Sequence, residues 1–104
     1  MRKGVYFVIK HIILWKLKEE FNTDKVKSDM KSNLEALVGE IPGLIDLKVN
    51  INAMDSSNVD VMLDSSFDDV CSYETYIKHP SHVYVADTFV RPFTEVRSCI
   101  DFEV

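Results

Sequence analysis

The chain has 104 residues, of which 46% are hydrophobic and 28% are charged, as is typical of one domain with a single core. Its 17 acidic and 12 basic residues give a formal charge of −5. This balance disfavours nucleic acid and anionic membranes as partners, since both bind basic surfaces. No apolar run approaches the ~20 residues of a membrane span. We therefore expect a cytoplasmic protein with one domain over residues 1–104, in which residues 1–7 form an N-terminal extension.

The first predicted strand, residues 8–17, carries apolar side chains at both parities, which is typical of a central strand covered on both faces. Its even positions include Val8, Ile12 and Leu14. If this even set meets the helices, the odd set lies on the opposite, open face of the sheet. Periodicity alone leaves the reverse assignment open, since a shift by one residue exchanges the two faces. The odd set consists of Ile9, His11, Ile13, Trp15 and Leu17.

The remaining elements follow in the order of a common small fold. A helix is predicted to begin after Asn22 or Thr23 and to end near Gly39 and Pro42. Two alternating strands, 44–52 and 59–63, precede a second helix that ends at His79-Pro80. A short third helix and a last strand, 95–103, complete the chain. This strand alternates, with Val96, Ile100 and Phe102 on one side and Arg97, Asp101 and Glu103 on the other. The second helix is expected to turn the following side chains inward: Phe67, Val70, Cys71 and Ile77.

This β-α-β-β-α-(α)-β order predicts a four-stranded antiparallel sheet with the helices on one face, the ferredoxin-like arrangement of an α+β protein. The other face of the sheet is then open, and it is partly apolar. A contiguous apolar patch of this kind marks a partner surface or a ligand site. We therefore predict a homodimer that forms through the open sheet face and encloses a cavity between the protomers.

Two of the three histidines lie in one short stretch, Tyr76-Ile77-Lys78-His79-Pro80-Ser81-His82. Histidine is the side chain whose unperturbed pKa lies nearest to neutrality, so His82 with the Tyr76 phenol is a candidate acid/base pair. Such a base typically contributes ~10²–10⁴-fold in rate. The alternative is that His79 and His82 only stabilise the helix break by hydrogen bonds to the backbone. For His79 this structural role is favoured.

Three segments resemble the stress-responsive dimeric α/β-barrel family. They are the opening Lys10-His11-Ile12-Ile13-Leu14-Trp15-Lys16-Leu17-Lys18, the helix end Ile41-Pro42-Gly43-Leu44, and residues 76–83, which contain the motif Tyr-x-x-His-Pro-x-His. The resemblance covers nearly the whole chain from about residue 8. It implies a ferredoxin-like protomer and a dimer whose two sheets close into a barrel.

The resemblance also implies roles for individual residues. In a plant member of the family that cyclises linear polyketides by aldol chemistry, the second histidine of the motif is the base and the tyrosine assists it. These positions correspond to His82 and Tyr76. The pocket histidine of the first strand corresponds to His11, and Ile13 and Trp15 flank it as ligand-binding candidates. Other plant members hold magnesium through main-chain carbonyls at positions that correspond to Val38, Ile41 and Leu44.

Three functions are consistent with this sequence. The first is a small dimeric protein that binds an apolar or carbonyl-bearing molecule in the barrel, with His/Tyr proton transfer of the cyclase or isomerase type. If it is an enzyme, we expect a cofactor-independent lyase or cyclase. The second is a non-catalytic stress-response or assembly protein. The third is a haem- or quinol-handling barrel, in which His82 or His11 would act as the axial ligand.

Overall fold

A computed structural model describes residues 8–104 of the chain, so the predicted N-terminal extension of residues 1–7 lies outside the described residues. Four strands form one sheet: β1 (Ile9–Leu17), β2 (Leu44–Asn50), β3 (Val61–Phe67) and β4 (Thr94–Glu103). The helices are α1 (Asp24–Glu35), α2 (Val70–Lys78) and α3 (Pro80–Val85). A π-helical turn over Ala86–Val90 and a 3₁₀ turn over Arg91–Phe93 lead from α3 into β4. The strand order is β2-β3-β1-β4, and each neighbouring pair is antiparallel. The predicted ferredoxin-like fold is confirmed.

The odd-numbered side chains of β1 face the helices, and the even-numbered side chains lie on the open face of the sheet. All five odd positions from Ile9 to Leu17 are buried. Lys10 and Lys16 are charged and belong to the even set. Because the helix-covered face is removed from water and a charge is costly to bury, the even set lies on the open face. His11, Ile13 and Trp15 therefore lie within one chain, between its sheet and its helices. Our expectation that they lie on the open face is wrong.

The first helix begins as predicted, but it ends at Glu35, before the predicted end near Gly39 and Pro42. The Thr23 side chain accepts a hydrogen bond from the Val26 N–H at 3.2 Å and so caps α1. Met30, Leu34 and Leu37 are buried against the sheet. Beyond the helix, Gly39 adopts a φ of 88°, in the left-handed region that glycine occupies without steric cost.

The second helix presents different residues to the core from those predicted. Val70, Cys71 and Ile77 are exposed. Phe67 is fully buried, but it belongs to β3 rather than to α2. α2 begins only after Asp69, whose carboxylate caps it by accepting from the Ser72 N–H at 2.7 Å, so Phe67 remains in the strand. From that start the buried side chain of the helix is Tyr76.

The open face of the sheet is apolar on its β1–β4 side and polar on its β2–β3 side. The even residues of β4 share this face with Ile12 and Leu14. The exposed apolar members from β4 are Val96, Ile100 and Phe102. On the other side, Lys10 forms an ion pair with Asp64 at 2.6 Å. Within residues 8–104, every helix is too short or too polar to cross a membrane.

Candidate functional site

A cavity of about 310 Å³ lies between the sheet and the helices of a single chain. This volume is at the small end of the ~300–1,000 Å³ range of small-molecule sites. One wall is β1, and the opposite wall is α2 together with the π-helical turn. Its apolar lining includes Ile13, Trp15, Leu34, Leu63 and Val90, and its polar lining includes His11, Tyr73, Tyr76, His82 and Arg97. π-helical turns are frequent at functional sites.

His11 is held at one side of the cavity by a carboxylate from the neighbouring strand. Its Nδ1 lies 2.5 Å from the Asp101 Oδ1, and the Tyr73 hydroxyl donates to Asp101 Oδ2 at 2.9 Å. Because a carboxylate only accepts, Nδ1 carries the proton and Nε2 keeps its lone pair. Burial lowers the pKa of His11, and this effect outweighs the opposing hydrogen bond and charge of Asp101. The imidazole is therefore neutral at pH 7.

His82 and Tyr76 meet on the helical side of the cavity. Their ring centroids are 4.2 Å apart. The His82 Nδ1 lies 3.2 Å from the Ile77 carbonyl oxygen, so Nδ1 donates and Nε2 is left as an acceptor. Burial lowers the pKa of His82, and the charges of Arg91 and Arg97 lower it further. A neutral imidazole with an unprotonated Nε2 is the form that acts as a general base.

The Tyr76 phenol has the complementary property of a proton donor. Only 1% of this residue is exposed, and its ring packs on Phe67 with a centroid distance of 4.9 Å. Burial strongly raises the pKa of Tyr76, so the hydroxyl keeps its proton throughout the neutral range. Among residues 8–104, no group forms a hydrogen bond with this hydroxyl. It is therefore available to a ligand in the cavity.

The structure brings together five of the residues singled out from the sequence: His11, Ile13, Trp15, Tyr76 and His82 all line the one cavity. It lies inside the protomer, whereas we had predicted a cavity between two protomers. His79 lies apart from it and caps α3, because its Nδ1 accepts from the Ser81 N–H at 3.1 Å.

Two of the predicted magnesium carbonyls, those of Val38 and Ile41, lie in the turn between α1 and β2, and the third belongs to Leu44, the first residue of β2. The Ile41 carbonyl accepts from the Leu44 N–H at 3.3 Å, which leaves that oxygen one lone pair for a cation. Val38 is partly exposed, so water can reach this turn. Magnesium prefers six oxygen ligands, and three neutral carbonyls would supply half of them, with water as the rest. The residues fit a weak site, and magnesium binding stays a prediction.

A second group of metal-ligating types was not anticipated. His11, Cys99 and Asp101 place one ligand atom each within 4.8 Å of one another. Such a donor set suits zinc. However, the imidazole and the carboxylate already bond to each other, and the thiol lies 3.8 Å from the same carboxylate. In this arrangement Asp101 orients His11.

Sequence reasoning missed Tyr73, Asp101 and Arg97 as parts of the site. Asp101 and Arg97 were assigned to one side of the last strand, opposite Val96 and Ile100, and the strand register confirms this alternation. That alternation could have placed both on the helix side once the parity of β1 was known. The alternation of the last strand therefore contained this information, but it could be used only after the helix-facing side of β1 was known.

The sequence matches the family model of the Stress responsive A/B Barrel Domain over residues 9–104. The chain belongs to this family. A comparison with curated proteins found no match to this chain.

Solved structures share the fold of this A/B barrel domain. A dimeric ferredoxin-like protein of unknown function from Bacteroides fragilis is 29% identical, with a TM-score of 0.85 over 93% of this chain and 96% of that one. A family protein from Mesorhizobium loti is 19% identical, with a TM-score of 0.75 over 92% and 95% of the two chains. Hydroxynitrile lyase from Passiflora edulis is 15% identical, with a TM-score of 0.80 over 93% of each chain.

Proposed function

We propose that the protein binds a compact apolar molecule with a carbonyl group in the cavity of each protomer and transfers a proton at the carbon next to that carbonyl. The observation that carries the proposal is the contact between a neutral His82 and a protonated Tyr76 on the cavity wall. One group is suited to accept a proton and the other to donate a hydrogen bond. The reaction needs no cofactor.

In the proposed step, the His82 Nε2 takes the proton from the α-carbon, and the electron pair of the C–H bond moves into an enolate. The Tyr76 hydroxyl donates a hydrogen bond to the enolate oxygen. Such a donor, held in a cavity with a partly apolar lining, stabilises charge as it develops in the transition state. Return of the proton to either end of the enolate, or attack of the enolate on a second carbonyl, gives isomerisation or cyclisation.

The Passiflora enzyme is a lyase on the same fold, which supports the fold as a scaffold for such chemistry by analogy alone. The cavity volume favours a compact organic molecule over a haem. Both considerations support our choice of the first of the three predicted functions over the haem-handling alternative.

We propose further that the protein is a homodimer through its open sheet face. Support comes from the exposed apolar side chains of β4 and from the dimeric Bacteroides relative. A monomer would leave these side chains in water, and a second copy offers the same apolar surface in a two-fold arrangement. The same face is what a non-catalytic assembly protein would use, so assembly is the second candidate function.

The chemistry is tested by deuterium exchange into the α-positions of 4-phenylbutan-2-one in D₂O, followed by proton NMR. We expect the wild-type protein to accelerate the exchange over buffer. His82→Ala should reduce the acceleration by ~10²–10⁴-fold, and Tyr76→Phe by about tenfold, since it removes one hydrogen bond to developing charge.

The control is His79→Asn, which removes an imidazole from the same motif but keeps a residue type that caps helices well. It should exchange the ketone at the wild-type rate. If His82→Ala and Tyr76→Phe are folded and also exchange at the wild-type rate, the proposed acid/base pair is wrong. The assembly function would then be the better account of the protein.

A further inference from the structure

The cavity has a charge opposite to that of the whole chain. The protein carries 17 acidic and 12 basic residues, yet the described residues that line the cavity include no Asp or Glu. They do include two arginines, Arg91 and Arg97. The nearest carboxylate to the histidine on β1 is Asp101, and both of its oxygens are occupied by His11 and Tyr73. A ligand in this cavity therefore meets positive charge.

The two arginines differ in their partners. The Arg91 guanidinium forms an ion pair with Asp87 on the same helical turn. Arg97, in contrast, has no hydrogen bond or ion pair with any residue of the described part of the chain. Its five N–H donors are satisfied by solvent unless a ligand binds.

The strand register places Arg97 beside the apolar part of the site. It lies directly opposite Trp15 on the helix-facing side of the β1–β4 pair. Residues that face each other in an antiparallel pair have Cβ atoms ~4.5–5.5 Å apart. A molecule whose apolar body rests on Trp15 thus has one end within reach of the guanidinium. The charge of Arg97 also reaches both histidines of the cavity, because it contributes to lowering the pKa of His11 and of His82.

We propose that the ligand of this cavity carries a carboxylate at one end, and that Arg97 binds this carboxylate at the cavity mouth. This inference rests on the proposed function, in which the same cavity holds a carbonyl compound, and it narrows the ligand class to keto acids. Arginine presents a planar pair of donors that matches the two oxygens of a carboxylate. Bound in this way, the acid is oriented with its carbonyl towards His82 and Tyr76.

The test compares two probes with the same skeleton, 5-oxo-5-phenylpentanoate and 5-oxo-5-phenylpentanamide, which differ in the charge of one end. Dissociation constants are measured by NMR titration of the protein. We expect wild type to bind the acid about tenfold more tightly than the amide, as for one charge-assisted contact near the surface. Arg97→Gln should remove this preference and leave the affinity for the amide within about twofold.

Two further variants test whether the preference for the acid comes from the paired donors of Arg97 or from positive charge in general. Lys16→Gln removes one positive charge from the exposed, open face of β1 and should keep the preference for the acid, because Lys16 does not line the cavity. Arg97→Lys keeps the charge but loses the paired donors, so it should show an intermediate preference. It also carries the test if Arg97→Gln does not fold.

Equal binding of acid and amide by wild type would overturn the proposal, as would an Arg97→Gln variant that keeps the preference. Failure of the acid to bind at millimolar concentration would overturn it as well. The proposed chemistry is judged separately, on the exchange of the neutral ketone. His82→Ala should lose that exchange while it keeps the preference for the acid.

Discussion

The two histidines of the cavity are kept neutral mainly by burial rather than by their hydrogen bonds. For both His11 and His82, loss of water around the ring is the largest influence on the pKa, and it lowers it. A lowered pKa means that the unfolded chain binds protons more readily than the folded protein does below about pH 6.5. The histidines therefore favour the folded state fully above that pH, and this contribution is lost as the pH falls towards the folded-state pKa.

We predict that the free energy of unfolding decreases between ~pH 7.5 and ~pH 5.5, and that His82→Gln makes this decrease shallower because one of the two lowered pKa values is removed. Urea denaturation at several pH values across the window measures the slope. Lys78→Gln is the control, since it places the same amide at an exposed position of the same motif without removing an imidazole, and it should keep the wild-type slope. A His82→Gln variant with an unchanged slope would contradict the assignment of a lowered pKa to His82.

The extent to which the site could be predicted also differs by residue. Tyr76 and His82 could be placed together because they lie within one short motif at a helix end. The approach of Asp101 to His11 joins residues 90 positions apart, and it depends on the β1–β4 register. Local patterns carry no information about such a register, so the carboxylate that orients His11 and the guanidinium of Arg97 were recognised only in the fold.

Among the elements, the turn between α1 and β2 depends on two glycines with similar backbone angles but different surroundings. Gly39 and Gly43 have φ values of 88° and 86°. A Cβ at Gly39 would meet no atom within 4 Å, whereas one at Gly43 would lie 2.4 Å from the Ser72 Cβ on α2. Gly43 thus allows the start of β2 to pass directly beneath the helix that carries Tyr76.

We predict that Gly39→Ala lowers the free energy of unfolding by ~1–2 kcal/mol, which is the cost of a left-handed backbone for a residue with a side chain. Gly43→Ala should lower it by a further ~1–3 kcal/mol, because α2 must move away from the new methyl group. Urea denaturation of both variants gives the comparison. Equal losses would show that the close approach of α2 to Gly43 has no energetic consequence.

The same elements show where patterns along the chain succeed and where they fail. The cap at Thr23, the left-handed Gly39 and the alternation of β4 are local, and each was predicted correctly. The face of β1 was not, because Ile12 and Leu14 make the even set nearly as apolar as the odd set. The two lysines at even positions were the better guide, since a charged side chain is costly to bury and the helix-covered face is the drier one.

At the scale of the whole molecule, ligand binding and dimerisation use different parts of the protein. The sequence analysis had predicted that the dimer interface itself encloses the ligand cavity. The cavity lies between sheet and helices inside one chain, and the apolar half of the open face lies on the other side of the sheet. A dimer through that face covers the apolar side chains without contributing to the walls of the cavity. Assembly and ligand binding are therefore expected to be independent to a first approximation.

We predict that the wild-type protein sediments as a dimer of twice 12.0 kDa at micromolar concentration, and that Ile100→Asp converts it to a monomer. Ile100 is 60% exposed on the open face, where a carboxylate would be buried without a partner in the dimer.

The control is Val70→Asp, a similarly exposed position at 52% on the helical side, where the start of α2 accepts a negative charge. This variant should remain dimeric. The Ile100→Asp monomer should still bind 5-oxo-5-phenylpentanoate within about twofold of wild type, because each chain contains its own cavity. A monomeric wild type would refute the dimer, whereas an Ile100→Asp monomer that loses the probe would mean that the partner chain helps to shape the cavity.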